Sequence, residues 1–226
     1  MGRAIALGLA DAGCDVVLHH GAAVAEVAAT ASEARGRGVR VVTVGADLAD
    51  PDAAARLLAA AGDLAPVRLL VNSAAVFPDD DLAGITTDEW DHTIAVNLRA
   101  PVLLTQAFAA ALPEDMEGAV VNVTDWRTQR PYREHFSYTV SKGGLEAFTR
   151  AAAEALAPRI RVNAVALGAI LPPPGRGSDY LKALAREIPA GKPGGTDPVV
   201  AAVLFLLRNP FVTGEILRVD GGAHLR

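Results

Sequence analysis

Short apolar runs rich in β-branched residues alternate along this chain with longer stretches of helical period, and that alternation is its strongest structural constraint. Val16-Val17-Leu18, Val39 to Val44, Arg68 to Asn72, Ala119 to Val123, Ile160 to Leu167 and Glu215 to Val219 read as strands. Residues 22–36, a short segment from Asp52, residues 87–111, residues 138–157 and a segment from Thr196 read as helices. Strands separated by ten or more helical residues do not pair as hairpins. They require crossover connections and a parallel sheet covered on both faces.

Local signals agree with this outline. Gly2 to Ala12 is nearly pure helix former, so the chain opens inside a helix, with Gly13 as its stop. Thr86-Thr87-Asp88-Glu89 is a capping-box pattern ahead of the long helix. Pro198 sits at an early helical position, where its missing N–H costs nothing. No repeat or linker divides the 226 residues, so one α/β domain over 1–226 is expected. LPPPGRG (171–177) and PAGKPGGTD (189–197) mark a late loop expected over a ligand cleft.

Composition narrows the function classes. A 51% hydrophobic, 21% charged chain is globular, and its longest apolar run, Val199 to Leu207, is about half a bilayer span, which argues against a membrane protein. The net charge of −5, with no basic cluster, argues against nucleic acid. A single cysteine, Cys14, excludes an internal disulfide framework and fits a reducing, cytoplasmic setting. His19-His20 lack cysteine or carboxylate partners at ligand spacing, and His92, His135 and His224 are scattered, so no metal site is expected.

The strongest chemical signal is YTVSK, residues 138–142. Tyr138 and Lys142 lie one helical turn apart on one face. An ammonium near a phenol lowers the tyrosine pKa and makes it a usable acid or base. The same spacing also fits a partly buried tyrosine beside a snorkelling lysine. Asp125 follows the strand AVVNV, at the end where parallel sheets hold ligands. LLVNSAA (69–75) ends another strand in small residues, and Asn97 is a poor helix former in mid-helix, which suggests a specific role.

ADL (46–48), NSAA (72–75), VNL (96–98), YTVSK, RVNAVALGAI (161–170) and GEILRVDGG (214–222) together resemble the short-chain dehydrogenase/reductase family over nearly the whole chain. The resemblance implies a doubly wound Rossmann fold with a seven-stranded parallel sheet. It implies Tyr138 as acid/base, Lys142 lowering its pKa and holding the nicotinamide ribose, and Asn97 anchoring a relay water. Asp47 and Leu48 would border the adenine, Asn72, Ser73 and Ala74 the adenosine ribose, and Gly168, Ala169 and Ile170 the nicotinamide. Members commonly form homotetramers. In this family a strand and a glycine-rich loop that holds the pyrophosphate precede the first helix. Gly2 matches the last glycine of that loop, so the resemblance implies that the first, central strand and most of the loop are missing from this chain.

Asp125 stands where most of the family has serine, and an ionised carboxylate cannot donate the hydrogen bond a ketone oxygen needs. Aspartate there resembles the pteridine and dihydromonapterin reductases of the family, and Phe77 falls where those enzymes stack an aromatic on the pterin. Asp125 as a turn cap and Phe77 as a core residue is the alternative. After VVLH, His19, His20 and Gly21 offer no acid to a ribose 2′-OH, which favours NADPH over NADH. The expected function is NADPH-dependent hydride transfer to a C=N or C=O bond, most simply of a dihydropterin or dihydrofolate. A generic ketone or 3-oxoacyl-carrier-protein reductase and a non-catalytic nucleotide-binding relative are the alternatives.

Overall fold

The computed structural model describes residues 1–62, 64, 66–172 and 177–225. Residues 173–176 of the expected late loop lie outside them. In chain order the elements are α1 (Gly2–Asp11), β1 (Val16–His20), α2 (Val24–Arg35), β2 (Val41–Gly45), α3 (Ala53–Ala59), β3 (Leu69–Asn72) and α4 (Thr87–Ile94). Then come α5 (Ala100–Ala111), β4 (Gly118–Asp125), α6 (Phe136–Leu156), β5 (Ile160–Leu167), α7 (Ser178–Ala185), α8 (Asp197–Arg208) and β6 (Ile216–Val219). Gly13 follows α1 at φ 81°, the left-handed stop its position suggests. The capping box forms: Glu89 N donates to Thr86 Oγ1 at 3.3 Å, and Thr86 N donates to Glu89 Oε2 at 3.0 Å.

All strand pairs are parallel. Among the described residues, six strands fall into two hydrogen-bonded groups, β1–β2 and β3–β4–β5–β6. Side-chain packing joins them. Ile5 and Leu9 of α1, Val16 and Leu18 of β1, Val121 and Val123 of β4, and Val203 and Leu206 of α8 belong to one buried cluster. Phe108 of α5, Val120 of β4, Ala152 of α6 and Val162 of β5 form another. The alternation of β4 side chains between these clusters shows helices on both sheet faces, which is the doubly wound arrangement. Full burial of each large aliphatic or aromatic side chain contributes about 1.5–3 kcal/mol.

Residues 87–111 run as one helical column, but Ala95–Arg99 is a π-helical turn between α4 and α5. By length and composition this column could cross a membrane. Here it packs on α3 and α6 as a core helix. Gly144 of α6 permits that approach, since a Cβ there would lie 2.8 Å from Leu98 Cδ2.

Candidate active site

The carboxyl ends of β4 and β5 and the start of α6 surround a cleft of roughly 370 Å³. Tyr138, Asp125 and Phe77 line it, with Gly168, Ala169 and Ile170 on the β5 side. Tyr138 Oη donates to Asp125 Oδ2 at 3.1 Å, and both residues are buried. Asp125 is also a turn cap, because its Oδ1 accepts Arg127 N at 2.9 Å. The turn cap therefore also lines the cleft. Phe77 belongs to the cleft wall and to none of the buried apolar clusters; its ring meets Tyr138 edge-on at 4.6 Å and 90°.

Lys142 is 2% exposed, and its Nζ donates to Val123 O at 2.8 Å. The ammonium lies 5.7 Å from the Tyr138 ring centroid. Burial lowers the Lys142 pKa to about 8, against a smaller upward pull from Asp125. The expected lowering of the tyrosine pKa does not occur. Burial first, then the Asp125 charge and hydrogen bond, push the Tyr138 pKa well above its ordinary value. The spacing brings lysine near the ring, but the phenol hydroxyl points at a carboxylate in a dry wall. The Asp125 pKa rises as well, through burial, with Arg127, Tyr138 and Lys142 acting against that rise.

Asn97 has a structural role the sequence did not specify. Its Oδ1 accepts Val76 N at 2.8 Å, and its Nδ2 donates to Val76 O at 2.9 Å and Ser141 Oγ at 3.1 Å. The side chain anchors the loop after β3 to α6. The π turn carries it there, a common use of such turns.

The remaining predicted residues lie outside the Tyr138 cleft, along the carboxyl edges of the other strands. His19 Nε2 is 2.8 Å from Ala46 O, and His20 Nδ1 is 2.8 Å from Gly21 O. Asp47 Oδ1 accepts Ala49 N at 2.8 Å, while Leu48 is buried against α3. Asn72 donates to Asn122 Oδ1 at 2.8 Å, yet Asn72 Oδ1 and Ser73 Oγ are buried without a partner, and Ala74 is exposed. Gly2, at the start of α1, leaves room beside Ser73, since a Cβ there would be 3.8 Å from Ser73 Oγ. Partnerless buried polar atoms beside a helix N-terminus suit the hydroxyls and phosphates of a nucleotide. With no carboxylate at His19, His20 or Gly21, nothing there repels a 2′-phosphate. Gly168 is required by packing, because a Cβ would lie 2.5 Å from Asp220 Cα. Sequence reasoning missed Arg127, which pairs with Asp125 two positions earlier, and also His135 and Asp80, whose partners lie close by only in the fold.

A parallel, doubly wound domain that gathers a tyrosine, a lysine and a carboxylate at the ends of its central strands, beside a nucleotide-compatible edge, defines a dinucleotide-dependent oxidoreductase. The chain belongs to the short-chain dehydrogenase/reductase family: a family model described as enoyl-(acyl carrier protein) reductase matches residues 1–224. An L-xylulose reductase of Mesocricetus auratus is 38% identical over 230 residues, 98% of this chain and 91% of that protein. A D-erythrulose reductase of Gallus gallus is 35% identical, over 98% of this chain and 90% of that protein. The structure of FolM alternative dihydrofolate reductase 1 from Brucella canis, complexed with NADP, superimposes with a TM-score of 0.94 at 35% identity, covering 99% of this chain and 89% of that one.

Proposed function

We propose that this chain is an NADPH-dependent reductase acting on a C=N or C=O bond of a dihydropterin or dihydrofolate. The observation that carries the reading is the Tyr138 hydroxyl donating to a buried Asp125 carboxylate, with Phe77 at the edge of the same tyrosine. NADPH, when bound, supplies the hydride. Asn72 and Ser73 would hold its adenosine side, Gly2 its pyrophosphate, and Lys142 with Gly168 to Ile170 its nicotinamide side. Tyr138, with its pKa raised, keeps its proton across the physiological range and delivers it to the substrate nitrogen or oxygen. The Lys142 ammonium stabilises the phenolate left behind. Asp125 accepts from a ring N–H of the substrate, and Phe77 offers an aromatic wall. FolM, at 35% identity, supports the pterin or folate choice, and its bound NADP supports the cofactor.

The L-xylulose and D-erythrulose reductases support a second reading, reduction of a small ketone. Purified protein is assayed with NADPH against dihydrobiopterin, dihydrofolate, L-xylulose and a β-ketoester, following loss of the NADPH absorbance. The proposal expects the pterin or folate to give the highest kcat/KM. Turnover of only the ketones overturns it. The reading includes a cytoplasmic homotetramer: Phe211, Phe205 and Val140 expose apolar surface that assembly would cover. Light scattering tests it.

A further inference from the structure

His135, immediately before α6, is the one non-glycine residue with positive φ among the described residues, at 58°. It supplies no cap to the helix it precedes. Its ring instead stacks on Phe77, with centroids 3.8 Å apart and planes at 23°. Its Nδ1 lies 2.6 Å from Pro78 O, so that nitrogen carries the hydrogen and donates. The next two residues bind the same loop. Phe136 N donates to Asp80 O at 3.3 Å, and Ser137 N to Asp80 Oδ1 at 3.2 Å. Ser137 Oγ donates to Asp80 Oδ2. The cap of α6 is thus supplied by the loop that carries Phe77, from a distant part of the chain. This fixes the Phe77 ring against the helix turn that presents Tyr138.

We propose that His135 is a specificity-determining positioning residue, a backstop that sets how deep the Phe77 wall stands relative to the Tyr138 hydroxyl. The inference rests on the dihydropterin reading and extends it. A flat heteroaromatic ring needs both the wall and the proton donor in register. A small aliphatic ketone has no π face and reaches Tyr138 and Asp125 without the wall. Loss of the stack therefore weakens binding of flat substrates selectively.

The test compares two variants that separate ring from backbone. His135→Asn keeps a residue that tolerates the left-handed region but removes the ring. His135→Phe keeps a stacking ring but loses the donor to Pro78 O. Steady-state rates are measured with NADPH, dihydrobiopterin and L-xylulose. His135→Asn is expected to raise the dihydrobiopterin KM about tenfold, the size of one lost aromatic contact, with a smaller change in kcat. Its kcat/KM for L-xylulose falls less, and His135→Phe retains most of the dihydrobiopterin affinity. Should His135→Asn not fold, Asp80→Asn loosens the same loop and is expected to raise the dihydrobiopterin KM selectively. Equal losses on both substrates, or an unchanged dihydrobiopterin KM, overturn the backstop alone. Wild-type protein that reduces only L-xylulose overturns the dihydropterin reading and the backstop together, and does so before any variant is made.

Discussion

Replacing Lys142 by methionine gives a signature that follows directly from burial. The amine is 2% exposed, donates to Val123 O at 2.8 Å, and has its pKa lowered from 10.5 to about 8, chiefly by burial. Below pH 8 the amine is charged in both folded and unfolded chains, and folding carries the full penalty of burying that charge. A lowering of this size corresponds to about 3 kcal/mol. Between pH 8 and 10.5 the folded protein releases the proton while the unfolded chain keeps it. The unfolded state then binds more protons, so stability rises with pH. Methionine has a comparable unbranched side chain and no titration. The stability of wild type relative to Lys142→Met should therefore rise by about 3 kcal/mol between pH 7 and pH 11. At pH 7 the variant escapes the charge penalty but leaves Val123 O without its partner, a loss of about 1–3 kcal/mol that roughly offsets the gain. Urea denaturation of both proteins across this range reads the difference, in which titrating groups remote from Lys142 cancel. A difference that is flat or falls with pH refutes the assignment.

Three further outcomes follow. Tyr138→Phe removes the proton that Tyr138 donates to Asp125 and should lower kcat by about 100-fold or more while leaving NADPH binding by thermal shift intact. Asp125→Ser exchanges a charged acceptor for a hydroxyl donor. It should shift the ratio of kcat/KM from dihydropterin toward ketone, and it should lower the Tyr138 pKa, since the Asp125 charge and hydrogen bond now add to the effect of burial in raising it; ultraviolet titration of the phenol reads that change. Gly168→Ala sets a Cβ 2.5 Å from the Asp220 backbone, which cannot yield as a flexible side chain can, so the melting temperature should fall by an amount equivalent to about 1–3 kcal/mol.

Much of the fold is legible in the chain because period and punctuation are local. The β4 and β5 runs, the Gly13 stop and the Thr86–Glu89 box each announce themselves within a few residues. Of the residues singled out in the sequence, Tyr138, Asp125 and Phe77 line one cleft, and Lys142 lies beside the Tyr138 ring. Their electrostatics were not legible in the chain. Spacing along a helix gives proximity, whereas the sign of the Tyr138 shift depends on a dry environment and on a carboxylate contributed by β4. Asn97 was conspicuous as a poor helix former, yet its bonds to Val76 and Ser141 depend on a π turn that leaves no periodic trace. His135 and Asp80 gave no signal, because the contacts that make them matter join segments far apart in sequence.

The most direct measurement is a crystal structure of this protein with NADP and a dihydropterin. The account predicts the substrate ring along Phe77, with a ring nitrogen or oxygen at roughly 2.6–3.2 Å from Tyr138 Oη and a ring N–H on Asp125. A ring bound away from that hydroxyl, or a Tyr138 side chain turned out of the cleft in the complex, would contradict it.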